Sequence, residues 1–453
     1  MKFSRIILCL FVVFLLAVAL ISCDKAEEPL TSKTNQKTVN TVTTSSEIEP
    51  NTTTVPSTVS DVITTEVTPT TEVTTTSEPV TEAPKQASIV AVGDNLIHMP
   101  LVTAAEKLGY DSLYEGIAPT IQAADLAIIN QETVFVKDRK DWSGYPTFGT
   151  PYEIGEAALR AGFDVFTHAT NHTFDKRIKG VNDTLEFWEN HQEGIGIGIH
   201  SSAEEYDDIP VVEINGIKIA ILNYSYAKIG CSGSNLYYSL NGIPLGSANE
   251  YAYSVSVFFE GISDSVPSSR KAEAEQIMAD NQQYIMNQIA KAKAENDFVI
   301  VCVHWGSEYN FKPNSKETKW AKIFIEAEVD LVIGNHPHYL QPVVEYESES
   351  GHKTLIYYSL GNFISNQEDL NTNISGLATV VIEKDSEGTK IISYQLEGLT
   401  VDCQRIDGVN GYRVIKLEEL TSEMIKSSWK WKSYSLSDFQ KVYEKAISSY
   451  PSL

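Results

Sequence analysis

Cysteine is scarce in this chain, and so is histidine: 453 residues hold five of the first and nine of the second. The cysteines are Cys9, Cys23, Cys231, Cys302 and Cys403, far apart and with no Cys-x-x-Cys spacing. That argues against a disulfide framework and against a cysteine-rich zinc site. Cys302 lies in the apolar run FVIVCVHW and reads as a buried small hydrophobe. Positive charge is short as well, with 35 Lys and Arg against 60 Asp and Glu and a net charge of −25. Residues 1–23 contribute +2 and residues 24–86 contribute −6, which leaves −21 for the remainder. Such a surface argues against nucleic acid as a partner. It also argues against a polyanion spread over the bulk surface, and is compatible with divalent cations.

The longest hydrophobic run, 6–21, falls slightly short of the about 20 apolar residues that span a bilayer. It follows the basic start MKFSR and ends in LISC, Leu20 to Cys23. A basic segment, an apolar segment and a small residue before Cys make a secretory signal. The ending resembles a bacterial lipobox, which predicts cleavage before Cys23 and lipidation of Cys23. An uncleaved anchor is the alternative. Both place the bulk of the chain outside the cytoplasm, at a membrane. Residues 24–86 are rich in Thr, Ser, Pro and Glu and nearly devoid of aromatics. They cannot bury enough apolar surface to offset the entropy of ordering, and read as a disordered tether.

From residue 87 the pattern changes. Apolar runs of strand length recur, each ending in polar residues: ASIVAVGD at Asp94, LAIINQE at Glu132, FDVFTHATNH at His172, FVIVCVHWGSE at His304 and Glu308, LVIGNHPH at His336 and His338, TLIYYSLGNF at Asn362. Continuous apolar strands are buried on both faces. Helical patterns cover about 151–161, 180–191, 269–294 and 315–328. Asn215-Gly216 between two alternating runs predicts a hairpin over 211–224, and a second hairpin is expected near 378–398. The stretch 228–265 reads as a long insertion. The expected class is α/β, with two mixed sheets stacked between helices.

Ligands of open α/β sheets gather at the carboxyl ends of strands. Asp94, Glu132, Asn171, His172, His304, His336 and His338 all stand at such ends. One strand-end histidine is commonplace; a carboxylate, amide and imidazole set from several strands predicts a shared metal centre. No thiolate is on offer, so Mn, Fe or Zn in a catalytic role fits better than structural zinc. Two such ions about 3.5–4 Å apart can clamp a phosphate and create a nucleophile near neutral pH. Glu132 is the candidate bridge. His172 is the candidate general acid, with Asp175 three residues on to orient it.

The ordered set VGDN (92–95), NQE (130–132), ATNHTFD (169–175), HWGSE (304–308), GNHPHYLQP (334–342) and YSLGNF (358–363) resembles the CapA capsule-synthesis (poly-γ-glutamate synthesis) proteins. Their fold is that of the calcineurin-like metallophosphoesterases. The resemblance implies an αββα sandwich of two mixed sheets over 87–400, with a helical extension at 401–453. It assigns Asp94 and His338 to one divalent ion and Asn171, His304 and His336 to the other. Glu132 lies between them, His172 is the acid, and Glu308 and Asn362 touch substrate or support the ligands. It implies an anionic polymer or phosphoester substrate and membrane-bound synthase or export partners. The sequence also departs from that pattern. Metallophosphoesterases open on Asp-x-His, whereas here the histidine is His98, four residues after Asp94, which leaves its ligation open. The bridge is a Glu in NQE, and KRIKG replaces a glycine-containing turn after Asp175.

Two functions follow. One is a cell-surface, metal-dependent hydrolase cleaving a phosphoester or a polymer amide in capsule synthesis, export or processing. The other is a non-catalytic scaffold that guides polymer or membrane partners. SSWKWKSYS (427–435) reads as part of a packed terminus, with a carbohydrate- or membrane-contacting Trp-Lys-Trp-Lys surface as the alternative.

Overall fold

The computed structural model describes residues 83–229, 237–238, 255–264, 266 and 268–451. The expected secretory signal, Cys23 and nearly all of the expected tether lie outside the described residues, as does most of the expected 228–265 insertion. The chain first lays down four parallel strands, β1 (Lys85–Asp94), β2 (Leu126–Asn130), β3 (Val165–Thr167) and β4 (Ile195–Ile197). It then builds a second sheet from β5 (Val211–Ile214), β6 (Ile217–Ile229), β7 (Tyr237–Tyr238), β8 (Val257–Ile262), β9 (Phe298–His304), β10 (Leu331–Asn335), β11 (Val343–Glu347) and β12 (Lys353–Tyr357). Finally β13 (Ile374–Asp385), β14 (Gly388–Asp402) and β15 (Arg413–Lys416) return to the first sheet, whose order is β15-β14-β13-β1-β2-β3-β4. The second runs β8-β6-β9-β10-β12-β11, with β5 and β7 also on β6. Both expected hairpins form, and Asn215 and Gly216 take the positive φ values, 52° and 76°, that a tight two-residue turn demands.

Strand alternation sorts the side chains into separate cores on the two faces of each sheet. In β1, Ile89 and Ala91 face the second sheet, while Val90 and Val92 face helices. In β9, Ile300 and Cys302 face the first sheet, while Val299, Val301 and Val303 face the other way. A period of two on strands buried on both sides produces this division. The outer face of the first sheet is covered by α1 (Met99–Leu108), α2 (Tyr152–Arg160) and the terminal helix Leu436–Ile447; that of the second by Lys271–Glu295 and Ser315–Glu326. Cys302 is a free, buried thiol, as its apolar neighbours predict. No helix among the described residues is long and apolar enough to cross a membrane.

Two expectations need correction. β6 runs to Ile229 and Val257–Ile262 is a strand beside it, so both ends of the 228–265 stretch belong to the sheet. The other is the domain boundary expected at 400. The Trp-Lys-Trp-Lys segment belongs to the packed terminus, as expected, and the alternative of an exposed contact surface is not met. Trp431 is buried in the first core, Trp429 donates to the Gly411 carbonyl at 3.1 Å, and Lys430 Nζ donates to the Gln367 carbonyl at 2.8 Å. Apolar faces on β14, β15 and the terminal helix draw these aromatics inward. β14 also runs through residue 400, so residues beyond 400 continue the first sheet.

One buried acid gives the fold a pH signature. Glu317 caps the Ser315–Glu326 helix by accepting from the Asn314 N–H at 2.7 Å, and it lies against Gly306, where a Cβ would meet its Cδ at 2.5 Å. Burial pushes its carboxyl up to about 8. The folded chain therefore binds a proton more tightly than the unfolded one. That stability is fully present below the ordinary glutamate value of about 4.3 and is lost as pH rises through 8. Thermal unfolding should show Tm falling across this window, with a shallower fall in Glu317→Gln. Parallel curves for the two proteins would refute the assignment.

Candidate metal centre

The site gathers at the carboxyl ends of parallel strands from both sheets. β1 pairs with β2 in register up to Val92 and Ile129; then a shift sets Asp94 opposite Asn130. Such an irregularity re-aims a side chain at the end of a strand. Gly93 permits it: a Cβ there would stand 1.8 Å from the Gly361 carbonyl oxygen, which also accepts from the Asp94 N–H at 2.8 Å. The glycines of VGDN and YSLGNF are thus explained by one backbone crossing. Asp94 Oδ1 accepts from Asn130 Nδ2 at 2.8 Å, and Asn130 Oδ1 accepts from Thr167 Oγ1 at 2.8 Å. This relay fixes the carboxylate and the amide together.

Two residues beyond β2, Glu132 is anchored by its main chain, whose carbonyl accepts from Thr170 Oγ1 at 2.7 Å. Its carboxylate is buried and neither oxygen has a hydrogen-bond partner. Oε1 lies 3.7 Å from His304 Nε2, and Oε2 lies 3.9 Å from His338 Nδ1. His338 Nδ1 also stands 3.1 Å from Asp94 Oδ2. His304 Nε2 stands 2.8 Å from Asn171 Oδ1. His336 packs on the rings of His304 and Tyr226, at 4.8 and 4.7 Å, and its Nδ1 is buried without a partner.

In an extended strand, His336 and His338 would both project to one face, away from Pro337. Here the backbone leaves the strand altogether. φ is +96° at His336 and +58° at His338, a region that side-chain-bearing residues seldom occupy. The strain of each is of order 1–3 kcal/mol and persists where surrounding structure enforces it. The result is two histidines aimed at two different neighbours. Asp94, Glu132 and His338 bring their donor atoms within 4.8 Å of one another, and so do Glu132, His304 and His336. Each group could hold a metal ion, and Glu132 belongs to both.

The electrostatics follow from burial. The Glu132 carboxyl is held well above the ordinary carboxylate range, first by desolvation and then by the charge of Asp94. His304 and His336 are driven well below the usual imidazole range by burial, with neighbouring histidines adding to it. Burial would lower His338 too, but Glu132 and Asp94 overcome it and raise the ring to about 9. A buried carboxylate with two bare oxygens beside neutral imidazoles is a donor set suited to a divalent cation.

The other expected residues occupy distinct places. His172 Nδ1 lies 2.7 Å from Asp175 Oδ2, which also accepts from the Phe148 N–H at 2.7 Å. The His172 ring meets Phe148 edge-on at 4.7 Å, and His98 meets the same phenylalanine at 5.2 Å. His98 belongs to neither donor group. Its Nδ1 is engaged by the main chain of Leu96 and Asn366, at 3.1 and 3.3 Å, and burial lowers its pKa to about 4. Glu308 is partly exposed and reaches within 3.9 Å of His338 Nε2. Asn362 is buried and donates to Ser365, Gln367 and the Thr372 carbonyl, tying together its own loop. Asn130, Thr167 and Phe148 are supporting residues that the motif reading passed over. Asn130 stood inside NQE; the other two carry no spacing signal.

The stretch that carries this site is similar in sequence to known proteins. The family model described as "Bacterial capsule synthesis protein PGA_cap" matches residues 88–367, which include every residue of both donor groups. The chain is 26% identical over 345 residues to the PGA biosynthesis protein CapA of Bacillus subtilis (strain 168), covering 75% of this chain and 78% of that one. It is 26% identical over 302 residues to the capsule biosynthesis protein CapA of Bacillus anthracis, covering 65% of this chain and 63% of that one. An uncharacterized protein, y4sH of Sinorhizobium fredii, is 24% identical over 345 residues, covering 66% and 70%.

Proposed function

The chain belongs to the bacterial capsule synthesis protein family, and from that premise we propose that it is a lipid-anchored, metal-dependent hydrolase of the cell envelope. It acts on a phosphoester, or on an amide such as that of poly-γ-glutamate, during the synthesis, export or processing of a capsule polymer. The observation that carries the reading is the unpartnered, buried Glu132 carboxylate shared by two donor groups. A scaffold has no use for so costly a group, whereas a divalent centre gives both oxygens a partner. The metallophosphatase fold is part of the same proposal, supported by two sheets whose strand ends meet at the site.

In this reading Asp94, Glu132 and His338 would hold one ion, and Glu132, His304, His336 and Asn171 would hold the other. Bound there, Mn, Fe or Zn would supply Lewis acidity and a nucleophile near neutral pH. His172 delivers a proton to the leaving oxygen from Nε2. Asp175, on Nδ1, fixes the tautomer that carries it. Asn130 and Thr167 keep Asp94 from turning away. Glu308, at the solvent edge, meets the substrate. Lipidation at Cys23 and the 24–86 tether would hold this domain at the membrane and beside synthase or export partners.

Metal content decides it. The full chain, purified in detergent and incubated with manganese or zinc, is expected to carry close to two ions by plasma mass spectrometry, and His336→Ala close to one. A chain that binds no metal would sink the hydrolase and leave the scaffold.

A further inference from the structure

Lys176 follows Asp175 and opens the KRIKG segment, where this sequence departs from the metallophosphoesterase pattern. Its stem packs against two glycines. A Cβ on Gly149 would stand 2.6 Å from Lys176 Cε, and a Cβ on Gly180 would stand 2.7 Å from Lys176 Cβ. Its ammonium donates to Ser143 Oγ at 2.6 Å. Ser143 and Gly149 close a turn with two backbone hydrogen bonds, at 3.1 and 2.9 Å. That turn carries Phe148, whose N–H is held by Asp175 Oδ2 and whose ring meets His172 edge-on at 4.7 Å. The lysine is therefore braced on the turn that walls His172. Its charge is uncommitted. The neighbouring cations are paired with acids: Lys137 with Glu186, Arg139 with Glu106, Lys140 with Asp138 at 3.2 Å, and Lys179 with Asp141 at 3.1 Å and Asp183 at 2.5 Å. Asp175 is taken by His172 and Phe148. Among the described residues Lys176 has no ion pair, and its partner is a neutral hydroxyl. An ammonium offers three donors, and Ser143 takes one.

We propose that Lys176 forms an anion subsite beside the metal centre and takes a charged group of the substrate one repeat away from the bond that is cleaved. The inference rests on the hydrolase reading above and narrows its substrate to a polymer with an anion in each repeat, carboxylate or phosphodiester. A chain of net charge −25 repels such a polymer over most of its surface. It can hold one only where divalent ions and an uncommitted cation stand close together. Lys176 makes no hydrogen bond or ion pair with any residue of the two donor groups, so the anion it meets is not the group at the ions. Glu308, 3.9 Å from His338, repels an anion there. The polymer leaves the ions past Phe148 instead and reaches the ammonium on the same turn. A hydrogen bond from an ammonium to an anion is roughly twice as strong as a neutral one. A stem already fixed by packing loses little rotamer freedom when the anion arrives.

Titration calorimetry on the full chain in detergent, loaded with manganese, tests this with three probes: γ-linked tetraglutamate, a four-unit glycerol phosphate oligomer, and γ-linked tetraglutamine as an uncharged counterpart. At least one anionic tetramer should bind saturably and more tightly than tetraglutamine, and the one that does so identifies the anion as carboxylate or phosphodiester. Lys176→Met keeps the packed stem and removes the charge. It should weaken that binding by about 10-fold, whereas Lys176→Arg should hold it within about 3-fold. Added sodium chloride should lower the affinity of the native chain more steeply than that of Lys176→Met. The proposal is overturned if neither anionic tetramer binds, if tetraglutamine binds as tightly as the better of them, or if Lys176→Met binds as tightly as the native chain. The ion count separates the two failures. Two bound ions with no effect of Lys176→Met remove the subsite alone, and a chain without ions removes the hydrolase reading and the subsite with it.

Discussion

Glu132→Gln should strip the chain of divalent ions at both positions, whereas His336→Ala should empty only one. Glu132 is common to the two donor groups, and each of the other residues serves one. Loss of a supporting partner alone typically costs 10–100-fold in metal affinity, so loss of the shared carboxylate is expected to exceed about 100-fold at each position. A second expectation runs the other way. Without metal, the two buried Glu132 oxygens have no hydrogen-bond partner and burial opposes their charge, and a neutral amide removes the cost of charging them. Metal-free Glu132→Gln should therefore melt no lower than the metal-free native chain, while manganese raises the Tm of the native chain alone. Calorimetry with and without manganese, beside the ion count, reads both. A variant that still carries two ions would refute the bridge.

Asp175→Asn should leave the metal content untouched and cut turnover of bis(p-nitrophenyl) phosphate by about 10²–10⁴-fold. The asparagine side-chain oxygen can still accept from the Phe148 N–H, so the loop keeps its anchor. What it cannot do is hold His172 as reliably with Nδ1 protonated and Nε2 aimed outward. A fall of less than about 10-fold, with two ions still bound, would remove His172 from the role of acid. His172→Ala should match Asp175→Asn in turnover, because the pair acts as one device.

The strand ends were legible in the sequence because each combines a buried apolar run with an abrupt polar stop, and that signal is local. Asp94, Glu132, His304 and His336 could be nominated from it. The hairpin at Asn215-Gly216 and the helices at 152–160 and 315–326 were legible for the same reason. What could not be read is whatever depends on how two distant segments cross. Nothing around Gly93 announces that the Gly361 carbonyl lies against it. The spacing of His336 and His338 suggests one face of a strand, and only their positive φ values separate their targets. The sequence leaves the role of His98 open, and the structure answers it. Its position after Asp94 invites ligation, yet its Nδ1 is engaged by the main chain of Leu96 and Asn366, the latter far along the sequence. DWSGYPTFGT reads as an ordinary turn-rich loop until Phe148 is seen between two histidines.

The return of the chain to the first sheet bears on when the site comes into being. β1, which ends in Asp94, has β2 on one side and β13 on the other, with Lys85 opposite Lys384 and Val92 opposite Leu377. A nascent chain can place Asp94, Glu132 and both histidine segments in order and still leave one flank of β1 open. Contacts of such sequence separation form late, since loop closure opposes them until many are made together. The stretch matched by the family model, 88–367, ends before the strand that pairs with the other flank of β1. The strand that positions Asp94 is thus completed by a partner from far along the chain, and a truncation before residue 374 would leave that flank unpaired.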